Sequence, residues 1–204
     1  MSSEQLIILG GVIGIVGAIL GGAAGAALEF WLEEKRDKRH QRQQNLSAVL
    51  DWANAGRVKD LRRIDLRGAD LRSVDLNCGQ NKAKGADLSY SNLRKANLSH
   101  ALLAKTDFKW ADLRGANLTN ADLSEADLSN ADLRGATLTE ANLTEALLVE
   151  TKLDKTNLGE AVINHTNLYK ASLRNARITI EQLKKAQTFH EAILPDGTKH
   201  DEDK

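Results

Sequence analysis

Four arginine residues recur along the chain at intervals that are multiples of twenty residues. Guanidinium groups bind carboxylates and phosphates through paired hydrogen bonds, so a regular set of them could follow a phosphorylated or acidic partner. Asp112 and Asp132, each two residues before an arginine, could instead neutralise the set, and we favour this second interpretation. The four residues are Arg94, Arg114, Arg134 and Arg174.

Aromatic residues form a second candidate set in a chain that contains only 4% of them. Tyr90 and Trp110 are also twenty residues apart, and Tyr169 follows later. Exposed rings that lie in one column would suggest a contact surface for another protein. Stacked rings could equally serve only to cover the strands between which they lie.

The sequence lacks the common signatures of catalysis and metal binding. The five His residues are scattered, Cys78 is the only cysteine, and no zinc-protease, phosphate-loop or nucleophile-elbow motif occurs. We therefore predict a protein that is not an enzyme and that carries no metal or cofactor. The 28 basic and 28 acidic residues cancel, so we expect no nucleic-acid partner.

Leu6 to Leu28 form an uninterrupted stretch of uncharged, apolar or small residues. A helix of this length spans ~35 Å, which exceeds the ~30 Å hydrocarbon layer of a bilayer. A cleaved signal peptide is the alternative, but the preceding residues contain no Lys or Arg. We predict an N-terminal segment with a single transmembrane helix at about residues 6–28, within residues 1–28, and the lipid bilayer as one partner.

The residues that flank this predicted span indicate its orientation. Five basic residues follow it and none precedes it, so the positive-inside rule places the rest of the chain on the cytoplasmic side. Gly17, Gly21 and Gly25 recur every four residues, a spacing that favours close packing of membrane helices. Self-association through this helix, or docking onto another membrane helix, is therefore expected.

Three further regions follow the predicted span. Residues 29–57 are rich in helix-forming residues and predict a charged stalk that ends in an amphipathic segment containing Leu46 and Val49. Residues 58–178 contain a repeat, and residues 179–204 predict a short helix and a polar tail. Thr179 and Gln182 have the spacing of a capping box at the start of that helix.

The repeat has a period of five residues, as in the stretch Ala121 to Gly135, "ADLSEADLSNADLRG". On an α-helix, a step of five residues turns the direction by ~140°, so the Leu residues would not share a face. In extended chain, Ala121 and Leu123 point to one side and Asp122 points to the other. Two residues must then turn a corner, so the chain winds around its own Leu core in stacked coils.

These residues resemble the pentapeptide-repeat family, whose motif is A(D/N)LXX. The resemblance implies an all-β solenoid, a right-handed quadrilateral parallel β-helix with coils of 20 residues, here preceded by the membrane helix and stalk and closed by a short C-terminal helix. It also implies that residues 20 apart stack. Leu76 and Leu88 are 12 residues apart, which suggests a two-residue bulge and places Arg72 below Arg94.

We expect a membrane-anchored, non-enzymatic scaffold that binds a protein partner. The family suggests an alternative, because some relatives resemble DNA in shape and charge and bind DNA gyrase, protecting it from quinolones. Residues 111–150 contain 8 acidic and 2 basic residues, but the acidic region covers only two coils. This limited extent argues against the alternative.

Overall fold

The computed structural model of the protein describes residues 22–55, 61–77 and 85–201. The chain divides into two compact units, Met1–Gln44 and Asn45–Lys204. Within the described ranges, no helix combines the length and the apolar composition that crossing a membrane requires. The transmembrane prediction for residues 6–28 falls mostly on residues outside those ranges, as do Gly17 and Gly21 of the glycine stripe.

Helix α1, Gly22–Ala55, includes most of the predicted stalk. In the first unit it is exposed and strongly charged; Lys38 pairs with Glu34, and the Lys35 ammonium lies 3.7 Å from the centre of the Trp31 ring. In the second unit its final turns pack on the coil, where Val49 is fully buried in the hydrophobic core. The amphipathic segment thus contributes to the core of the second unit.

Parallel β-bridges between residues twenty apart define the solenoid. Each repeat contributes one bridge, at the residue that follows the alanine position, as in Asp112↔Asp132 and Asp122↔Asn142. The described part of the chain contains no strand longer than these single-residue bridges. Four repeats complete one coil, so the second unit is a β-helix with four sides.

The five positions of a repeat have distinct environments, illustrated by residues 121–125. Ala121 and Leu123 occupy the core alanine and core leucine positions and are almost fully buried. Asp122 occupies the fringe position, and Ser124 and Glu125 occupy the first and second turn positions. Where Thr replaces the core alanine, its hydroxyl donates to a carbonyl of the previous coil: Thr151 to Leu128 at 2.8 Å, and Thr166 to Leu143 at 2.8 Å.

Each corner is a β-turn in which the second turn position has a positive φ near +60°. Most of these positions carry an ordinary side chain, such as Glu125 with φ +56°. The fringe side chain supports the turn, because its carboxylate or amide oxygen accepts the backbone N–H two residues later. Examples are Asp122 with Ser124 at 3.1 Å and Asn142 with Thr144 at 3.1 Å.

The first coil corrects the predicted two-residue bulge. Asp65 pairs with Asn92 and Asp70 pairs with Asn97, an offset of 27 residues. The Ala86 N–H also bonds to the Leu76 carbonyl at 3.1 Å, as in an ordinary corner. One corner therefore holds seven additional residues, and Arg67, not Arg72, lies below Arg94.

The C-terminal end closes with more structure than a helix and a polar tail. Helix α2, Ile180–Leu183, begins with the predicted capping box between Thr179 and Gln182. Parallel pairing then resumes at Thr188 and Ile193, with an offset of 21 residues. Ile193 also pairs antiparallel with Lys199, so the chain folds back over the last coil.

Candidate functional site

The basic column is the set of arginines at the first turn position of one face. Backbone hydrogen bonds place its members on successive coils, with Asp154 between the last two. The column comprises Arg67, Arg94, Arg114, Arg134 and Arg174. The structure therefore brings the four predicted arginines onto one face and adds Arg67, which the first-coil register hid from sequence analysis.

Two members of the basic column are held by carboxylates of the same repeat. Arg134 donates to Asp132 through Nε at 2.8 Å and Nη2 at 2.6 Å. Arg114 binds Asp112 in the same way, at 2.8 and 2.5 Å, and its Nε lies 3.6 Å from Asp132. This part of the column is a charge lattice, as the favoured interpretation of the sequence predicts.

The lattice changes the protonation of its members. Burial of Asp132 opposes ionisation, but hydrogen bonds from the side chain and backbone of Arg134 outweigh it and lower the pKa of the carboxyl. The same balance lowers the pKa of Asp112 beside Arg114. Both carboxylates therefore stay ionised to a lower pH than in the unfolded chain.

We expect acid to weaken this lattice. A carboxyl with a lowered pKa in the folded state stabilises the fold above its unfolded pKa of ~3.9, and this stabilisation is lost as the pH falls towards the folded value. The double change Asp112→Asn with Asp132→Asn should make the fall in melting temperature between pH 5 and pH 2.5 less steep. Parallel curves for native and variant chains, followed by circular dichroism, would contradict this.

Asparagine makes this comparison a fair one. Asn97, Asn117 and Asn142 already occupy fringe positions and accept the same turn N–H. The double variant therefore removes two negative charges and keeps the turn acceptor, so an unaltered melting temperature at neutral pH serves as its control for folding.

The aromatic column lies at the second turn position of a neighbouring face. The Tyr90 and Trp110 rings are parallel within 5°, with centroids 6.3 Å apart, and each residue is 54% exposed. The Arg63 guanidinium lies 5.4 Å from the Tyr90 ring centre. We call Arg63, Tyr90 and Trp110 the aromatic column; Arg63 escaped sequence analysis for the same reason as Arg67.

Tyr169 is separated from the aromatic column and has its own partners. Its hydroxyl donates to Glu191 at 3.1 Å, its ring stacks with His190 at 6.0 Å, and the Lys170 ammonium lies 4.9 Å from the ring centre. Tyr169 thus links the last coils to the C-terminal hairpin. Gly25, the third residue of the predicted membrane stripe, lies in α1.

A gap in one corner was not anticipated. Successive second turn positions along the edge of the basic face are Lys95, Gly115, Gly135 and Lys155, as their backbone bonds to the next coil show. A depression of about 470 Å³ lies here, lined by Arg114, Arg134, Gly135, Asp154 and Lys155. We call the two glycines and their flanking lysines the corner notch.

Metal chemistry finds no support in the described ranges, where no three His, Cys, Asp or Glu side chains are grouped to hold an ion. The chemistry that the exposed side chains offer is that of recognition. Guanidinium and ammonium groups can bind anionic groups, and the exposed rings can bury apolar surface.

A family model described as pentapeptide repeats matches residues 84–120, 116–151 and 141–179, with eight copies. Among solved structures, the pentapeptide-repeat protein alr5209 from Nostoc PCC 7120 is 34% identical over 62% of this chain and 78% of its own, with a TM-score of 0.24. No curated protein matches the chain.

Two further solved structures are similar at lower identity. HetL from Nostoc sp. strain PCC 7120, a pentapeptide-repeat protein involved in heterocyst differentiation regulation, is 23% identical over 74% of this chain and 98% of its own, with a TM-score of 0.33. QnrB1, a plasmid-mediated fluoroquinolone resistance protein, is 18% identical over 65% of each chain, with a TM-score of 0.36.

Proposed function

Because the chain belongs to the pentapeptide-repeat family, we propose that it is a non-enzymatic interaction module whose β-helix presents exposed side chains to a protein partner. The observation that carries this proposal is the division of labour within the repeat. Core positions hold nearly the same residues throughout and are buried, whereas the turn positions vary and include exposed rings and cations such as Trp110 and Arg174.

We further propose that the module is tethered to a membrane by residues 6–28, with the repeat on the cytoplasmic side. The support is the sequence, which is uncharged throughout this stretch and is followed by a cluster of basic residues. Packing of Gly17, Gly21 and Gly25 against another membrane helix would allow self-association.

The DNA-like alternative has less support from the charges. Of the acidic residues in the middle coils, Asp112 and Asp132 bind arginines, and Asp127 lies 3.2 Å from the Lys109 ammonium. A surface that imitates DNA needs carboxylates whose charge is not cancelled nearby. The middle of this β-helix instead alternates positive and negative groups.

A crosslinked pull-down from alkaline-washed membranes tests the proposal. We expect the full-length chain to remain in the membrane pellet and to recover a specific protein. Recovery of the chain in the wash would contradict the tether, and recovery of no specific protein from membranes of the native host would contradict the interaction module.

Two variants show which surface binds. The first neutralises the lattice without changing its net charge, and the second removes both rings but keeps residues that tolerate positive φ. They are Asp112→Asn, Arg114→Gln, Asp132→Asn and Arg134→Gln combined, and Tyr90→Asn with Trp110→Asn. We expect one of them to reduce partner recovery at least fivefold at a native melting temperature; unchanged recovery by both would contradict a role for these columns.

A further inference from the structure

The two glycines of the corner notch are not required by the backbone. Gly115 and Gly135 have φ values of +66° and +68°, but Glu125 and Glu140 adopt similar values at the same turn position. Space within the chain does not require them either, because a Cβ on Gly135 would have no atom within 4 Å. Two adjacent glycines therefore leave an open gap that the fold does not use.

Cations surround this gap. Lys95 and Lys155 stand at its two ends, and neither forms an ion pair within the described ranges. Arg134 uses Nε and Nη2 for Asp132, which leaves most of its five N–H donors for a ligand. The notch thus combines a recess with donors that are not fully used.

The size of the notch favours an extended peptide. Lys95 and Lys155 are three coils apart, which is ~14 Å at the strand spacing of ~4.8 Å. In an extended chain, residues i and i+4 lie on the same side and ~13 Å apart. Three alternate acidic side chains would therefore reach the two lysines and the arginine between them.

The nearby carboxylates argue against a longer polyanion. Asp112, Asp132 and Asp154 lie on the same face as the basic column, so the excess of positive charge is confined to the notch. A nucleic-acid strand would carry its phosphates across those carboxylates, whereas a short acidic peptide would not.

We propose that the corner notch binds a short acidic segment of a protein partner, in extended conformation, with its carboxylates on Lys95, Arg134 and Lys155. This inference rests on the proposed function and names the chemistry of the partner. A partner bound through another surface would leave the proposed function intact and the notch unoccupied.

The test measures binding of a fluorescent peptide with four Glu-Ser repeats to the full-length chain in nonionic detergent. We expect saturable binding that weakens with salt. Lys95→Asn with Lys155→Asn should weaken it at least tenfold, and Gly135→Asn should weaken it by filling the recess. Asn120 and Asn130 occupy the same turn position with positive φ, so these changes suit the fold.

Lys105→Asn is the matched control, because it removes the same charge at the same turn position on another face. We expect it to bind the peptide as the native chain does. Equal binding by all variants, no binding by the native chain, or tighter binding of an eight-nucleotide oligothymidylate than of the peptide would each overturn the proposal. Failure here with a partner still recovered from membranes would leave the interaction module standing.

Discussion

Replacing Leu148 by Ala lowers the free energy of unfolding by ~2–5 kcal/mol, whereas replacing the adjacent Leu147 changes it by less than ~1 kcal/mol. Leu148 occupies a core leucine position and is 1% exposed, so the change leaves a cavity between stacked side chains. Leu147 occupies a fringe position and is 40% exposed. The two residues are neighbours in the chain and differ only in the side of the strand to which they point.

The backbone makes this pair well matched. The Leu148 N–H donates to the Asn167 carbonyl at 2.8 Å, and the Leu147 N–H donates to the Ala126 carbonyl at 2.9 Å. Both variants keep these ladder bonds. Denaturant unfolding followed by circular dichroism measures the difference, with hydrogen exchange to locate the loss if the coils unfold separately. Equal destabilisation by the two changes would contradict the assignment of inward and outward positions.

Replacing Gly85 by Ala is expected to cost ~3 kcal/mol or more, because the new methyl group has no space. Its Cβ would lie 2.6 Å from the Thr106 nitrogen and 2.7 Å from the Ala104 carbonyl oxygen, which are backbone atoms of the next coil. The Gly85 N–H also donates to Lys105 at 3.0 Å, which fixes the approach. Relief would require the two coils to separate.

Gly135→Ala is the control for this prediction. Its φ is +68° and nothing lies within 4 Å of the position that the new methyl group would occupy, so only the left-handed backbone opposes the change, at ~1 kcal/mol. Thermal and denaturant midpoints of the two variants measure the contrast. A larger loss for Gly135→Ala than for Gly85→Ala would show that conformation, and not close approach, dominates at these glycines.

The sequence predicted the interior of the β-helix well, because burial there depends on a local pattern. Each Ala and Leu two residues apart must share a side of extended chain, so Leu123 and its equivalents are buried as expected. The capping box of Thr179 and Gln182 was equally readable, because a cap depends on residues only three apart. Membership of the repeat family followed from the same pattern.

The register of the first coil could not be obtained in this way. Twelve residues between Leu76 and Leu88 fit two repeats with two extra residues or one repeat with seven, and only backbone pairing distinguishes them. The resumption of pairing at Thr188 was hidden similarly, because the offset there is 21 and the motif has ended. Long-range pairing, unlike burial, is not encoded in a five-residue window.

The candidate surfaces were predictable in part. Spacing by twenty placed Arg114 on Arg134 and Tyr90 on Trp110, and the paired aspartates were foreseen. The notch was missed because two glycines offer no side chain to search for; their meaning appears only when the corner column is read with Lys95 and Lys155 at its ends.

The central claim is that turn positions carry binding while core positions carry stability. Partner recovery from washed membranes by the lattice and ring variants tests it most directly, provided that each variant keeps the native melting temperature. The predicted result is loss of the partner by at least one variant at unchanged stability. Recovery of the same partner, in the same amount, by both variants would contradict it.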